Sequence, residues 1–193
     1  MAKQPTARIT AAQYLSVERK SSEKHEFAFG EIFAMTGASA RHVEIVGNIA
    51  GDLRNQLRQR PCHVYSTDLR ICVDRDDRYT YPDVVAICGE PEFLDDTFDT
   101  LLNPELIVEV LSESTRNYDR GDKFQQYRGI PSFREYLLVD QESVHVERYS
   151  KQSDGTWLLW ESNALSDLVR LESVGLTLAV SEIYFKIDFN QPH

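Results

Sequence analysis

Two apolar runs, "YPDVVAIC" (residues 81–88) and "PELIVEVLS" (residues 104–112), each carry one acid. Rich in Val and Ile, both read as buried β-strands. Such a strand holds Asp83 or Glu109 only where something compensates the desolvated charge. Side chains alternate along a strand, so Asp83, Val85 and Ile87 share one face of the first run. Ile107, Glu109 and Leu111 share one face of the second. Pro82 belongs at the start of a strand and puts Asp83 there too. Were the two strands neighbours, the carboxylates would repel and raise each other's pKa. A hard divalent cation removes that conflict, and Mg²⁺ is usually held by one or two carboxylates with water and substrate phosphate. The pair therefore predicts a metal site, or else two structural acids satisfied by an arginine or a helix cap.

Helical and extended patterns alternate along the rest of the chain. Thr10 is a plausible cap for a short helix through about Glu18, and "EFAFGEIFAMTG" reads as a hairpin turning at Gly30. Val43, Val46, Ile49, Ala50, Leu53 and Leu57 recur at helical spacing, and Pro61 closes that helix. "CHVYSTDLRICV" alternates as one strand, followed by the charged turn "DRDDRY". "YDRGDKFQQYRGI" reads as a helix on which Asp119, Lys123 and Tyr127 fall at i, i+4 and i+8 along one stripe. A lysine leaning from that stripe over an acid pair could neutralise a phosphate; on the surface it would make an ordinary pair with Asp119. "REYLLVD", "SVHVERYS", "TWLLWES" and "GLTLAVSEIYF" follow as strands, the last running into a helical turn. Strands on both sides of helices predict a mixed sheet with helices packed on it.

Composition narrows the classes. At 193 residues the chain suits one domain, 1–193, with no linker or repeat dividing it. No apolar run approaches the roughly 20 residues of a membrane span, and the N-terminal stretch lacks the apolar segment of a secretory signal. Cys62, Cys72 and Cys88 are odd in number and form no CxxC pair, which predicts no disulfide framework or zinc knuckle and a cytoplasmic location. A net charge of −10 excludes non-specific coating of nucleic acid but not a local groove. The apolar tail "LTLAVSEIYF" suggests a surface for a homodimer.

The linked series of Pro82-Asp83, the strand around Glu109, Asp119-x3-Lys123-x3-Tyr127, "EYLLVD" and "VHVERY" resembles the Uma-two family. "HEFAFGEIFAMTGASARHVEIVGNI" and "STDLRICV" extend the resemblance over about residues 10–185. These are bacterial endonuclease-like proteins of the PD-(D/E)XK superfamily. The resemblance implies an α/β fold, a restriction-endonuclease-like mixed β-sheet flanked by helices, with additional antiparallel strands at both ends. It implies a DNA endonuclease in which Asp83, Glu109 and the backbone carbonyl of Val110 hold Mg²⁺ or Mn²⁺. Leu111 stands where the superfamily's lysine normally does, and Lys123 is the residue that could substitute in space. His42, Glu44 and Asp68 match positions of second rank, as do Asp119 and Tyr127 beside Lys123. The missing lysine and the acidity also fit an alternative: a catalytically inactive nuclease-like domain that binds nucleic acid or protein. A hydrolase of some other phosphate ester is a third reading.

Overall fold

The computed structural model describes residues 8–35 and 37–190. Helix α1 (Ala11–Glu18) is closed at its start by a capping box in which Thr10 and Gln13 bond reciprocally. The hairpin β1 (His25–Ala28) and β2 (Glu31–Ala34) turns through Phe29 and Gly30, both at positive φ. Helix α2 (Ala40–Leu57) follows, capped by Ser39. The strands β3 (Cys62–Ser66), β4 (Arg70–Asp74), β5 (Arg78–Thr80), β6 (Val84–Cys88), β7 (Thr100–Leu101) and β8 (Leu106–Leu111) come next. A crossover then runs through α3 (Arg116–Tyr118), a π turn (Asp119–Lys123) and α4 (Phe124–Tyr127). The chain closes with β9 (Glu135–Asp140), β10 (Val146–Lys151), β11 (Trp157–Ser162), β12 (Leu168–Leu171), β13 (Leu176–Ala179) and α5 (Val180–Ile183).

The central sheet has six strands in the order β11-β10-β9-β8-β6-β3 and is mixed: β8 and β9 are parallel, the other pairs antiparallel. One face carries Val84, Val108 and Val110 and packs on Ile45, Ile49 and Leu53 of α2. The other carries Val85, Ile107 and Leu111 against Tyr127, Phe133 and Tyr136. A parallel pair needs a crossover of a dozen residues or more. Here that crossover returns across the face of β8 that bears Glu109, so strand polarity itself delivers the crossover helix to the acid. A five-stranded sheet, β2-β1-β5-β4-β7, and the hairpin β12-β13 supply the additional strands. No helix among the described residues is long and apolar enough to cross a membrane.

Several expectations are corrected. "CHVYSTDLRICV" is two strands in different sheets, broken near Thr67, which sits in the left-handed region at φ 55°. The short strands β5, β7 and β12 lie in stretches without clear alternation. Cys62 and Cys88 form a disulfide, because the β3–β6 register sets them directly opposite with Cα atoms 3.9 Å apart. An odd cysteine count hid that pair; Cys72 is the buried free thiol. The cysteine argument for a reducing compartment falls with it. Most of the apolar tail is core: Leu176, Leu178, Val180, Ile183 and Tyr184 are buried against the α2 layer, while Phe185 is exposed.

Candidate active site

Asp83 and Glu109 meet because β6 and β8 are antiparallel neighbours. Val84 pairs with Val108, and one step further along the ladder sets Asp83 beside Glu109. Both line one cavity of about 1060 Å³, together with His42, Val110, Asp119 and Lys123. Asp83 Oδ2 accepts the Val110 backbone N–H at 2.7 Å, and its Oδ1 lies 3.1 Å from His42 Nε2. His42 is the third residue of α2, where Ser39 also accepts its N–H. Burial disfavours the imidazolium, but the hydrogen bond and charge of Asp83 outweigh it, and the His42 pKa is raised.

Glu109 is buried on all sides. Its Oε1 lies 2.9 Å from Lys123 Nζ and accepts the Tyr127 hydroxyl at 2.8 Å, which in turn meets Thr80 Oγ1 at 3.1 Å. The Lys123 ammonium, with its side chain only 8% exposed, also lies 3.5 Å from Asp119 Oδ1 and 3.6 Å from Glu26 Oε1. Burial pushes the Glu109 carboxyl well up; Lys123 pulls it down, while Asp83 and Asp119 push it further up. Asp119 is raised for the same first reason. Burial works against the Lys123 charge too, but Glu109, Tyr127, Glu26 and Asp119 prevail and hold its proton. Glu109, Asp119 and Lys123 thus titrate as one unit.

The π turn explains how Asp119, Lys123 and Tyr127 all face inward. On a pure α-helix a four-residue step drifts by about 40°; a turn closed i→i+5 is wider and keeps the spacing on one face. Arg120 points the other way and fastens the turn to β10, with its Nε donating to Glu147 Oε1 at 2.7 Å. Burial opposes the Glu147 charge, yet Arg120 and Tyr149 hold its pKa below the usual range.

Leu111 is fully buried in the apolar layer beneath the acids, so no cation comes from that position. Lys123 reaches the same acid from the crossover helix. Asp119, His42 and Tyr127 lie beside the acid pair; Glu44 and Asp68 do not. Glu44 is exposed on α2, and Asp68 pairs with Lys24 at 2.9 Å in an exposed turn. Glu26 was missed. Its signal was an acid on the strand "HEFA", on the face opposite the core residue Phe27.

The donor set is all oxygen and suits a hard divalent ion: two carboxylates plus the Val110 carbonyl, with room for water in the cavity. Among the described residues no group of three or more acids, histidines or cysteines is already placed to hold one. A bound ion would have to share Glu109 with Lys123.

The mixed sheet flanked by helices, with its additional antiparallel strands, is an α/β fold of the restriction-endonuclease-like kind. A solved structure described as a putative nuclease belonging to DUF820, from Anabaena variabilis, shares that fold: TM-score 0.74, 17% identity, 91% of this chain and 97% of that one. Residues 11–181 match the Uma-two family model, described as "Putative restriction endonuclease", and the chain belongs to that family. Two uncharacterized proteins of Synechocystis sp. are similar along most of their length. One is 42% identical over 153 residues, covering 79% of this chain and 86% of that protein. The other is 38% identical over 185 residues, 96% of each.

Proposed function

We propose that this protein is a metal-dependent nuclease that hydrolyses DNA phosphodiester bonds. The observation that carries the reading is the 2.9 Å contact of Lys123 with Glu109 beside Asp83, which supplies the cation that Leu111 cannot. Asp83, Glu109 and the Val110 carbonyl would hold Mg²⁺ or Mn²⁺, which supplies Lewis acidity at the scissile phosphate and an activated water. The protein's own groups do the positioning. His42 and the Val110 N–H fix both oxygens of Asp83. Tyr127 orients Glu109, and the Lys123 ammonium beside it would neutralise a phosphate oxygen or position an attacking water.

One observation favours a second reading, a nuclease-like domain that binds without cutting. Arginines near the cavity are engaged by the protein's own acids: Arg116 with Asp140 at 3.6 Å, Arg120 with Glu147 at 2.6 Å and Arg41 with Glu142 at 3.4 Å. Glu23, Glu113 and Glu142 line the cavity mouth. The test is a cleavage screen over single-stranded, nicked, supercoiled and linear duplex DNA with Mg²⁺ or Mn²⁺. Cleavage abolished by D83N and by K123A supports the nuclease; Asn keeps an acceptor for the Val110 N–H. No cleavage of any form, with Mn²⁺ still raising the melting temperature, favours the binding module.

A further inference from the structure

Resting on that reading, the site raises a question of competition. Glu109 Oε1 already takes a lysine and a tyrosine hydroxyl, so a divalent ion on the same carboxylate competes with Lys123 and repels its ammonium. An ammonium pushed off its partner inside a buried cluster needs another anion within reach. Glu26 is that anion. Its Oε1 is buried, has no hydrogen-bond donor among the described residues and lies 3.6 Å from Lys123 Nζ. It comes from β1, in the other sheet, where the ladder to β5 fixes its neighbour Phe27 opposite Tyr79. Asp119, the remaining neighbour at 3.5 Å, shares the lysine's own π turn and steadies it in either place.

We propose that Lys123 serves as the resident counter-cation of the acid pair in the metal-free protein. Glu26 is then the positioning residue that receives its ammonium when a divalent ion takes Glu109. A lysine suits this exchange because a compact charge on a four-carbon stem can swing between two carboxylates while its anchor stays fixed. Catalysis and metal loading are thereby linked. The cation that blocks Glu109 before loading is held at the edge of the site afterwards, where it can face the substrate. Glu26 would touch neither metal nor substrate and would act through Lys123.

The experiment is a double-mutant cycle on the full chain without DNA, reading Mn²⁺ affinity by calorimetry for wild type, E26Q, K123M and the double variant. Removing the resident cation should tighten Mn²⁺ binding, by about tenfold for K123M. Removing its receiver should weaken binding by about tenfold for E26Q, the size of a typical supporting-residue loss. E26D, which keeps the charge, should recover most of that. On the K123M background E26Q should change affinity by less than about twofold, because Glu26 then has nothing to receive. Equal weakening on both backgrounds would overturn the proposal, since Glu26 would then act by its own charge or as a ligand. So would K123M failing to tighten binding, an arm that stands even if E26Q does not fold. A wild-type protein that binds no Mn²⁺ sinks the metal-dependent reading and the exchange together; one that binds Mn²⁺ without the coupling sinks the exchange alone.

Discussion

Two charge networks cross between the layers of this protein, one partly exposed and one buried, and they are built on different rules. Around α1, Arg70 donates to Tyr81 at 2.8 Å and to Thr100 at 3.0 Å, and its Nη2 lies 3.0 Å from Asp99. The Tyr81 hydroxyl donates to Glu18 at 2.9 Å, which also accepts the His25 N–H. Arg19 closes the ring on Asp95 and Asp99. Two arginines serve three acids there, and each acid has a donor of its own. Burial works against the Asp99 charge, but Arg19, Thr100 and Arg70 win, and its pKa is depressed. In the cavity, three carboxylates (Glu26, Glu109 and Asp119) crowd one lysine, and the pKa values of Glu109 and Asp119 are raised. The first network spends its charges on itself and holds the fold. The second is left short of positive charge, the condition in which a buried cluster becomes a functional site.

The largest expected effect tests that contrast on stability. Arg70→Met strips a buried guanidinium from three partners and should lower unfolding stability by about 3 kcal/mol in urea titration. Glu109→Gln keeps an acceptor for Tyr127 and leaves Lys123 with Asp119 and Glu26. It should stay within about 1 kcal/mol of wild type. Equal losses for the two would mean that the cavity acids are as structural as the α1 network.

A second, smaller effect lies in the pH slope. A carboxyl whose folded pKa is raised binds its proton more tightly in the folded state, so stability falls as pH rises through that window. The deficit from Glu109 opens above about pH 4.3, its unfolded value, and grows until the buried group ionises. Metal-free melting temperatures of E109Q minus wild type should therefore climb as pH rises above about 4.3. Lys123 keeps its charge throughout, so its lost partner shifts the level and not the slope. Asp99 behaves oppositely. Its contribution is present above about pH 3.9 and disappears as pH falls through its depressed folded value, so the R70M deficit should shrink in acid. A flat E109Q difference would show that Glu109 is ionised and paired at every pH tested.

Much of the cavity was legible because it is local. Asp83 just before β6 and Glu109 in β8 stand out against Val and Ile, and Asp119, Lys123 and Tyr127 share a four-residue spacing that the π turn holds on one face. What escaped depends on distant pairings. Glu26 reaches Lys123 only because β1 joins a separate sheet beside β5, and Cys62 meets Cys88 only because β4 and β5 leave that sheet between them. Glu44 shows the opposite error. It lies two residues past His42, and about 200° around a helix turns it to solvent.

The smallest predicted effect sits where the two rules meet. His42 and Asp83 form a half-buried pair inside the charge-poor cavity, yet the histidine pKa moves as a partnered group should, upward. Asp83 retains the Val110 N–H without it, so His42→Ala should cost less than about 1 kcal/mol. The sign follows from the raised folded pKa. The contribution is complete below about pH 6.5, the unfolded value, and is lost as pH rises through the folded one. Melting curves of H42A and wild type should therefore differ in mild acid and converge in alkali. A gap that persists at high pH would mean that neutral imidazole holds Asp83 by hydrogen bonding alone. His42 would then belong with the self-satisfied contacts of the fold, and the charge deficit would be confined to Glu109, Asp119 and Glu26 around Lys123.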